Sequence, residues 1–301
     1  MNALSIGAAV PAKDFDAVVH SVFTRASNLK LKDNSRLLTL TRVDEADLPQ
    51  GIRLNTPPDF SFKMLHSGDQ FTSRSGILSC VTARLTIDLR LAQRWKCNLK
   101  TLAVSLEDVS TLDAWQRAVT IVNNYRLLTE TQEPVAQYIT CKMAQLTTGL
   151  VAATSSMDHL AAIENAAGLI GLGPGLTPAG DDFLVGYLAG LWGTAGRIPE
   201  RVQFVTNLGR AVARLSRHTN EISGTYLTHA AHARVSGRLL DLARAIKQGQ
   251  GSADLHPVTL LSLQVGHTSG LEATTGLLLG LAAWNGRLAG TPLAHPDEGL
   301  S

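Results

Sequence analysis

The run Gly171-Leu172-Gly173-Pro174-Gly175-Leu176-Thr177-Pro178-Ala179-Gly180-Asp181-Asp182-Phe183 constrains the fold more than any other stretch of the chain. Its four glycines and two prolines suit neither a regular helix nor a strand, so a loop is expected. An apolar segment, Phe183 to Trp192, follows directly. Thr177 is a good N-cap and Pro178 fits a first helical position, which predicts a helix beginning there. Asp181 and Asp182 would then sit in the first turn, beside backbone N–H groups that have no partner within the helix. A glycine-lined loop at a helix N-terminus is an anion-binding device. A carboxylate pair in that place can hold a metal or act as acid and base.

Charge placement sharpens this reading. No Lys or Arg lies between Lys142 and Arg197, whereas Asp158, Glu164, Asp181 and Asp182 do. The Asp pair must therefore be neutralised by a distant arginine, a metal or a bound substrate, because an unpartnered buried carboxylate is costly or titrates upward. The stripe Arg210, Arg214, Arg217, at helical spacing, reads first as a solvated face and second as a cationic supply for the Asp pair.

The first third is β-rich. Arg36–Arg42 and Leu78–Leu89 carry Val, Ile, Leu and Thr in partial alternation, with turn signals at residues 49–51, 57–59, 67–69 and 75–76. A small barrel or sandwich is expected there. From about Ser110 the period becomes helical, through Leu112, Trp115, Val119, Val122 and Tyr125. Further helices are predicted after Pro134 and over 156–170, 202–215, 225–235, 239–248, 257–265 and 269–284. The expected fold is thus α+β, with a β-rich domain over 1–110 and a larger α-helical domain over 111–301. Gly186/Gly190 and Gly276/Gly280 stand four apart on two of these helices and could let them pack closely as a buried pair.

Two more polar starts share the character of the opening loop: His218-Thr219-Asn220-Glu221-Ile222-Ser223-Gly224 and Gly266-His267-Thr268-Ser269-Gly270-Leu271-Glu272. Ser269 would cap the last helix and Glu272 would complete a capping box. The three starts are expected to meet at one pocket. Gly173, Gly175, Thr177, Gly180, Asn220, Glu221, Thr268 and Ser269 would hold an anion such as phosphate. Asp181, Asp182, His218 and His267 would carry the catalysis. Asp181, Asp182 and Glu221 form a candidate metal set, with Mg²⁺ as the ion considered. Each segment also has a plain structural reading as a cap or a helix break. His229 and His232, three apart, read as solvent-facing.

Composition excludes several classes. The 301 residues are 45% hydrophobic and carry a net charge of +2, with no basic tail or block, so nucleic acid is not expected as a partner. Three cysteines without metal-ligand spacing read as reduced thiols of a cytoplasmic protein. No basic n-region precedes an apolar run at the N-terminus, and residues 183–195 and 277–284 fall short of the roughly 18 residues a membrane span needs. A phosphate loop, a dinucleotide fingerprint after a strand, a nucleophile elbow and an H-E-x-x-H motif are all missing.

The segment Gly173-Pro174-Gly175-Leu176-Thr177-Pro178-Ala179-Gly180-Asp181-Asp182, continued by Phe183-Leu184-Val185-Gly186, resembles the signature of the AllH-type family of oxamate carbamoyltransferase subunits. Gly266-His267-Thr268-Ser269-Gly270 is a weaker match. The resemblance implies a subunit working with two other proteins in anaerobic allantoin and purine catabolism. The complex would move a carbamoyl group between oxamate and phosphate, so carbamoyl phosphate, phosphate and oxamate are the implied small-molecule partners. Aspartate and ornithine carbamoyltransferases carry Ser-Thr-Arg-Thr-Arg and His-Pro-x-Gln motifs. This chain has only Ser73-Arg74-Ser75 and His256-Pro257-Val258-Thr259, so no residue roles transfer from them. The alternatives are a stand-alone Mg²⁺-dependent hydrolase of a phosphorylated or amide substrate, and a non-catalytic ligand-binding or scaffold subunit.

Overall fold

A computed structural model describes residues 1–129, 134–249, 252–266 and 268–286. The chain divides into two compact units, Met1–Cys97 and Asn98–Ser301.

The first unit is one nine-stranded sheet in the order β8-β7-β6-β2-β3-β4-β5-β1-β9. Its strands are β1 (Ala3–Gly7), β2 (Phe15–Val22), β3 (Ala26–Leu31), β4 (Leu37–Thr41), β5 (Gly51–Leu54), β6 (Gln70–Arg74), β7 (Ile77–Cys80), β8 (Leu85–Asp88) and β9 (Gln93–Trp95). Pairing is antiparallel except for β4–β5 and β1–β9. The residues ahead of β1 reach the far edge: Asn2 bridges Asp88, and the Asp88 N–H donates to the Met1 carbonyl at 2.9 Å. The sheet therefore curls into a half-barrel around Leu29, Leu38, Leu40, Ile52, Phe62 and Phe71, all fully buried. Alternation is cleanest in β6, where Phe71 and Ser73 point in and Gln70, Thr72 and Arg74 point out. Of the two expected architectures, the barrel-like one holds; a single sheet leaves no sandwich. The expected strand over 78–89 is instead the hairpin β7–β8, turned by residues 81–84.

The second unit is helical. Its helices are α1 (Val109–Thr129), α2 (Pro134–Ser155), α3 (His159–Leu169), α4 (Ala179–Ala195), α5 (Pro199–Leu215), α6 (Glu221–Ala231), α7 (Gly237–Gln248), α8 (Ser252–Leu263) and α9 (Ser269–Ala282). Residues 98–108 hydrogen-bond into this unit: Leu99 N–H donates to Ala233 O at 3.2 Å and Val104 N–H to Gly193 O at 2.8 Å. Among the described residues, no helix is long and apolar enough to cross a membrane.

α4 and α9 form the centre, and nearly every residue of each is buried. They run parallel, because a Cβ at Gly186 would collide with the Ala273 carbonyl and one at Gly276 with the Phe183 carbonyl, and the pattern repeats further along at Gly190 and Gly280. Backbone meets backbone along this seam, so only glycine fits at these positions. The close approach expected from the glycine spacing is thus realised. It also places the two helix N-termini side by side.

Candidate functional site

Three helices begin at one end of the α4/α9 pair, and short polar contacts tie their starts together. The opening loop folds back on its own helix. Gly173 adopts φ +114°, and a Cβ there would lie 2.9 Å from the Ala179 nitrogen. Gly175 adopts φ +94° and stands exposed. Among the described residues, no acceptor faces the backbone N–H of Gly173, Gly175, Thr177 or Ala179. The loop therefore presents a row of unspent donors ahead of a helix dipole.

The two aspartates are used differently. Asp181 is fully buried and its oxygens are spent: Oδ1 accepts the Gly171 N–H at 2.8 Å and Oδ2 accepts the Thr219 hydroxyl at 2.5 Å. It pins the loop to the start of α6. Asp182 is 8% exposed and receives the Ser269 and Thr177 hydroxyls. These two hydroxyls themselves meet at 2.6 Å. The second oxygen of Asp182, Oδ2, is buried and has no hydrogen-bond partner among the described residues. Burial, opposed by the Ser269 hydrogen bond and reinforced by the neighbouring Asp181 charge, pushes the Asp182 carboxyl up to about 7.

Glu272 adds a third carboxylate one turn into α9. Its charge also raises Asp182, and its own partner is Arg126 of α1, whose Nη1 donates to Glu272 Oε1 at 3.2 Å. Arg126 Nη2 donates to the Thr275 hydroxyl at 2.8 Å. Both side chains of the ion pair are about nine-tenths buried.

Several expected roles change. Thr177 does not cap α4; Pro178 occupies the N-cap with no side-chain bond, and the Thr177 hydroxyl turns to Ser269 instead. Ser269 is the first residue of α9, behind an N-cap at Thr268 that makes no side-chain bond. Glu272 faces Arg126, so there is no capping box. Gly180 offers no free amide, since its N–H donates to Leu172 O at 2.9 Å; it is glycine because a Cβ would strike the Leu169 carbonyl. Asn220 spends its side-chain oxygen capping Ile222 and Ser223 of α6. The set Asp181, Asp182, Glu221 is not assembled: Asp181 is consumed, Glu221 is exposed at the start of α6, and among the described residues no three His, Cys, Asp or Glu could hold a metal ion. The residues do not fit a resident Mg²⁺.

His218 lies exposed in the 3-10 turn Ser216–His218, where the Arg217 Nε donates to its Nε2 at 3.3 Å. His267 lies outside the described residues. The stripe Arg210, Arg214, Arg217 is exposed, and it is Arg126 that meets the acidic end of the bundle. Arg126 extends the buried face Trp115, Val119, Val122 by a further four residues, and a charge on that stripe was the one available signal.

Two family models match the chain: the oxamate carbamoyltransferase subunit AllH over residues 169–281, and the AllH family N-terminal domain over residues 2–94. The chain belongs to the AllH family of oxamate carbamoyltransferase subunits. The first match begins one residue before Ile170 and spans the three polar helix starts; the second covers almost all of the half-barrel. As an AllH subunit, the protein works alongside other chains. No curated protein and no solved structure gives a significant match.

Proposed function

We propose that the AllH subunit binds the anionic substrates of carbamoyl transfer at the shared N-terminal end of α4, α6 and α9, and that Asp182 handles the proton of the reacting nitrogen. The reading places the protein in the cytoplasm, with two further subunits, in anaerobic allantoin and purine breakdown. Its three cysteines are free thiols, which accords with a reducing compartment.

One observation carries the reading: Asp182 Oδ2, buried and without a protein partner among the described residues, beside unspent loop amides. In carbamoyl transfer from carbamoyl phosphate to oxamate, the oxamate nitrogen attacks the carbamoyl carbon, the bond to phosphate oxygen breaks, and the nitrogen loses a proton. The amides at Gly173, Gly175 and Thr177 supply donors for the departing phosphate, reinforced by the positive end of α4. Asp182 Oδ2 accepts the proton from the attacking nitrogen and returns it in the reverse direction. A carboxyl titrating at about 7 is matched to transfer both ways near neutral pH. The Ser269 hydroxyl, itself bonded to that of Thr177, steadies the carboxylate.

The test is carbamoyl transfer measured on the complex assembled with its partner subunits. Asp182→Asn should lower kcat by roughly 10²-fold to 10⁴-fold while leaving assembly intact. The wild-type rate should rise with pH through about 7. Unchanged turnover and unchanged phosphate binding in Asp182→Asn would overturn the proposal.

A further inference from the structure

The opposite end of the α4/α9 pair holds a second constellation that carbamoyl transfer does not use. A cavity of about 840 Å³ opens there, between residues 103–107, the start of α5 and the end of α9. Gly196, at φ +57° and ψ −130°, turns the chain out of α4 and brings Arg197 to the cavity wall. Arg201, in the first turn of α5, lines it as well. Among the described residues neither guanidinium has a carboxylate partner. Arg201 lies over the Trp284 ring, its Cζ 5.5 Å from the ring centroid.

The wall behind the arginines is fixed before any ligand arrives. The Trp284 indole N–H donates to the Thr194 hydroxyl at 2.9 Å, and Thr194 donates to Gly190 O at 2.9 Å. Phe204 packs edge-on against the same indole at 5.5 Å. Val104, Leu106 and Leu281 make an apolar face. The start of α5 adds its dipole, since its N-cap Ile198 provides no side-chain bond.

We propose that this cavity is a second binding site, for an organic anion whose phosphate or carboxylate head is held by Arg197 and Arg201 and whose flat apolar body lies against Val104, Leu106 and Leu281. The two guanidiniums outnumber the one carboxylate of the lining, Glu107, and so favour an anion, because the fork of each matches two oxygens of such a head. The apolar face distinguishes an organic anion from a bare inorganic one. The site is independent of the proposed carbamoyl chemistry, since it shares no residue with the end that carries Asp182.

The probe is 8-anilinonaphthalene-1-sulfonate, an aromatic anion, titrated by fluorescence into the full chain. One saturable site is expected. The double variant Arg197→Gln/Arg201→Gln should weaken it at least tenfold, and Asp182→Asn should leave it unchanged. Arg201→Lys, which keeps the charge without the fork, should fall between. Displacement of the dye by adenosine monophosphate assigns a phosphate head, and displacement by phthalate a carboxylate head. Equal dye binding by wild type and the double variant, or displacement by neither competitor, would overturn the proposal.

Discussion

The two ends of the α4/α9 pair carry opposite charges. The N-terminal end gathers Asp181, Asp182 and Glu272, with Arg126 paired to Glu272; the C-terminal end gathers Arg197 and Arg201, with Glu107 on the same lining. Two parallel helices in backbone contact put like ends of their dipoles together, and side chains of the complementary sign relieve each end. The relief is unequal. At the C-terminal end the arginines are half-buried or exposed and water shares the work. At the N-terminal end the carboxylates are buried, so desolvation outweighs the dipole and Asp182 titrates far above an ordinary carboxylate. Burial is what turns a helix-end charge into a group able to exchange a proton near neutrality.

The seam creates both ends, so breaking it should have the largest effect. Gly186→Val drives a branched side chain into the Ala273 carbonyl, where backbone cannot yield. A loss of more than about 4 kcal/mol is expected, read as failure to recover folded protein or as collapse of the thermal transition. Gly193→Ala tests whether the seam itself is the cause. It sits on the same helix, but its Cβ would meet only side-chain methyls at ordinary contact distance, Leu281 Cδ2 at 3.6 Å, Leu102 Cδ2 at 3.8 Å and Val104 Cγ2 at 3.9 Å. It should be neutral or stabilising by up to about 1 kcal/mol.

Next comes the ion pair at the N-terminal end. Arg126→Met leaves Glu272 buried without its cation and should cost about 3–5 kcal/mol. Adding Glu272→Met should restore most of that loss, because two apolar side chains of similar volume replace a pair whose desolvation was costly. Chemical denaturation of the two single variants and the double variant gives the coupling energy directly. A double variant as unstable as Arg126→Met alone would mean that Arg126 acts through Thr275 rather than Glu272.

Asp182 gives a pH signature rather than a fixed loss. Its folded-state pKa is raised from 3.8 to about 7. Its contribution is therefore fully present below pH 4 and is lost as pH rises through 7, by on the order of 4 kcal/mol. The melting temperature of the wild type should fall between pH 5 and pH 8 by more than that of Asp182→Asn, which resembles the protonated acid at every pH. Parallel profiles would show that Asp182 is already ionised at low pH and would remove the basis for its proton transfer.

The same contrast explains what could be read in the sequence. The α+β division, the helix after the Gly/Pro loop and the glycine-notched pair are set by local periodicity and by residues with few conformational options, so they were legible. The N-caps were not. Thr177 and Ser269 are good caps in isolation, yet each found a better partner across the bundle in the other and in Asp182. Capping competes with tertiary hydrogen bonds, and nothing local decides that contest. Arg126 was missed for a related reason: it is 146 residues from Glu272, and only its place on an apolar stripe hinted at a buried partner. The arginines of the far end look like any surface pair, because a cavity is a product of packing and leaves no mark on spacing.

The smallest effect tests the division of labour between the two aspartates. If Asp181 is a tie and Asp182 the reacting group, Thr219→Val should cost about 1–3 kcal/mol by leaving Asp181 Oδ2 buried without its donor. Turnover of the assembled complex should fall no more than that stability loss explains, and its pH midpoint should stay at about 7. The Gly171 amide should keep its protection from hydrogen exchange, since it bonds the other oxygen, Oδ1. A shift of the pH midpoint in Thr219→Val would instead mean that the two carboxylates titrate as one unit. In that case the fully bonded Asp181 takes part in setting the proton affinity of its neighbour, and the line drawn between tie and reacting group disappears.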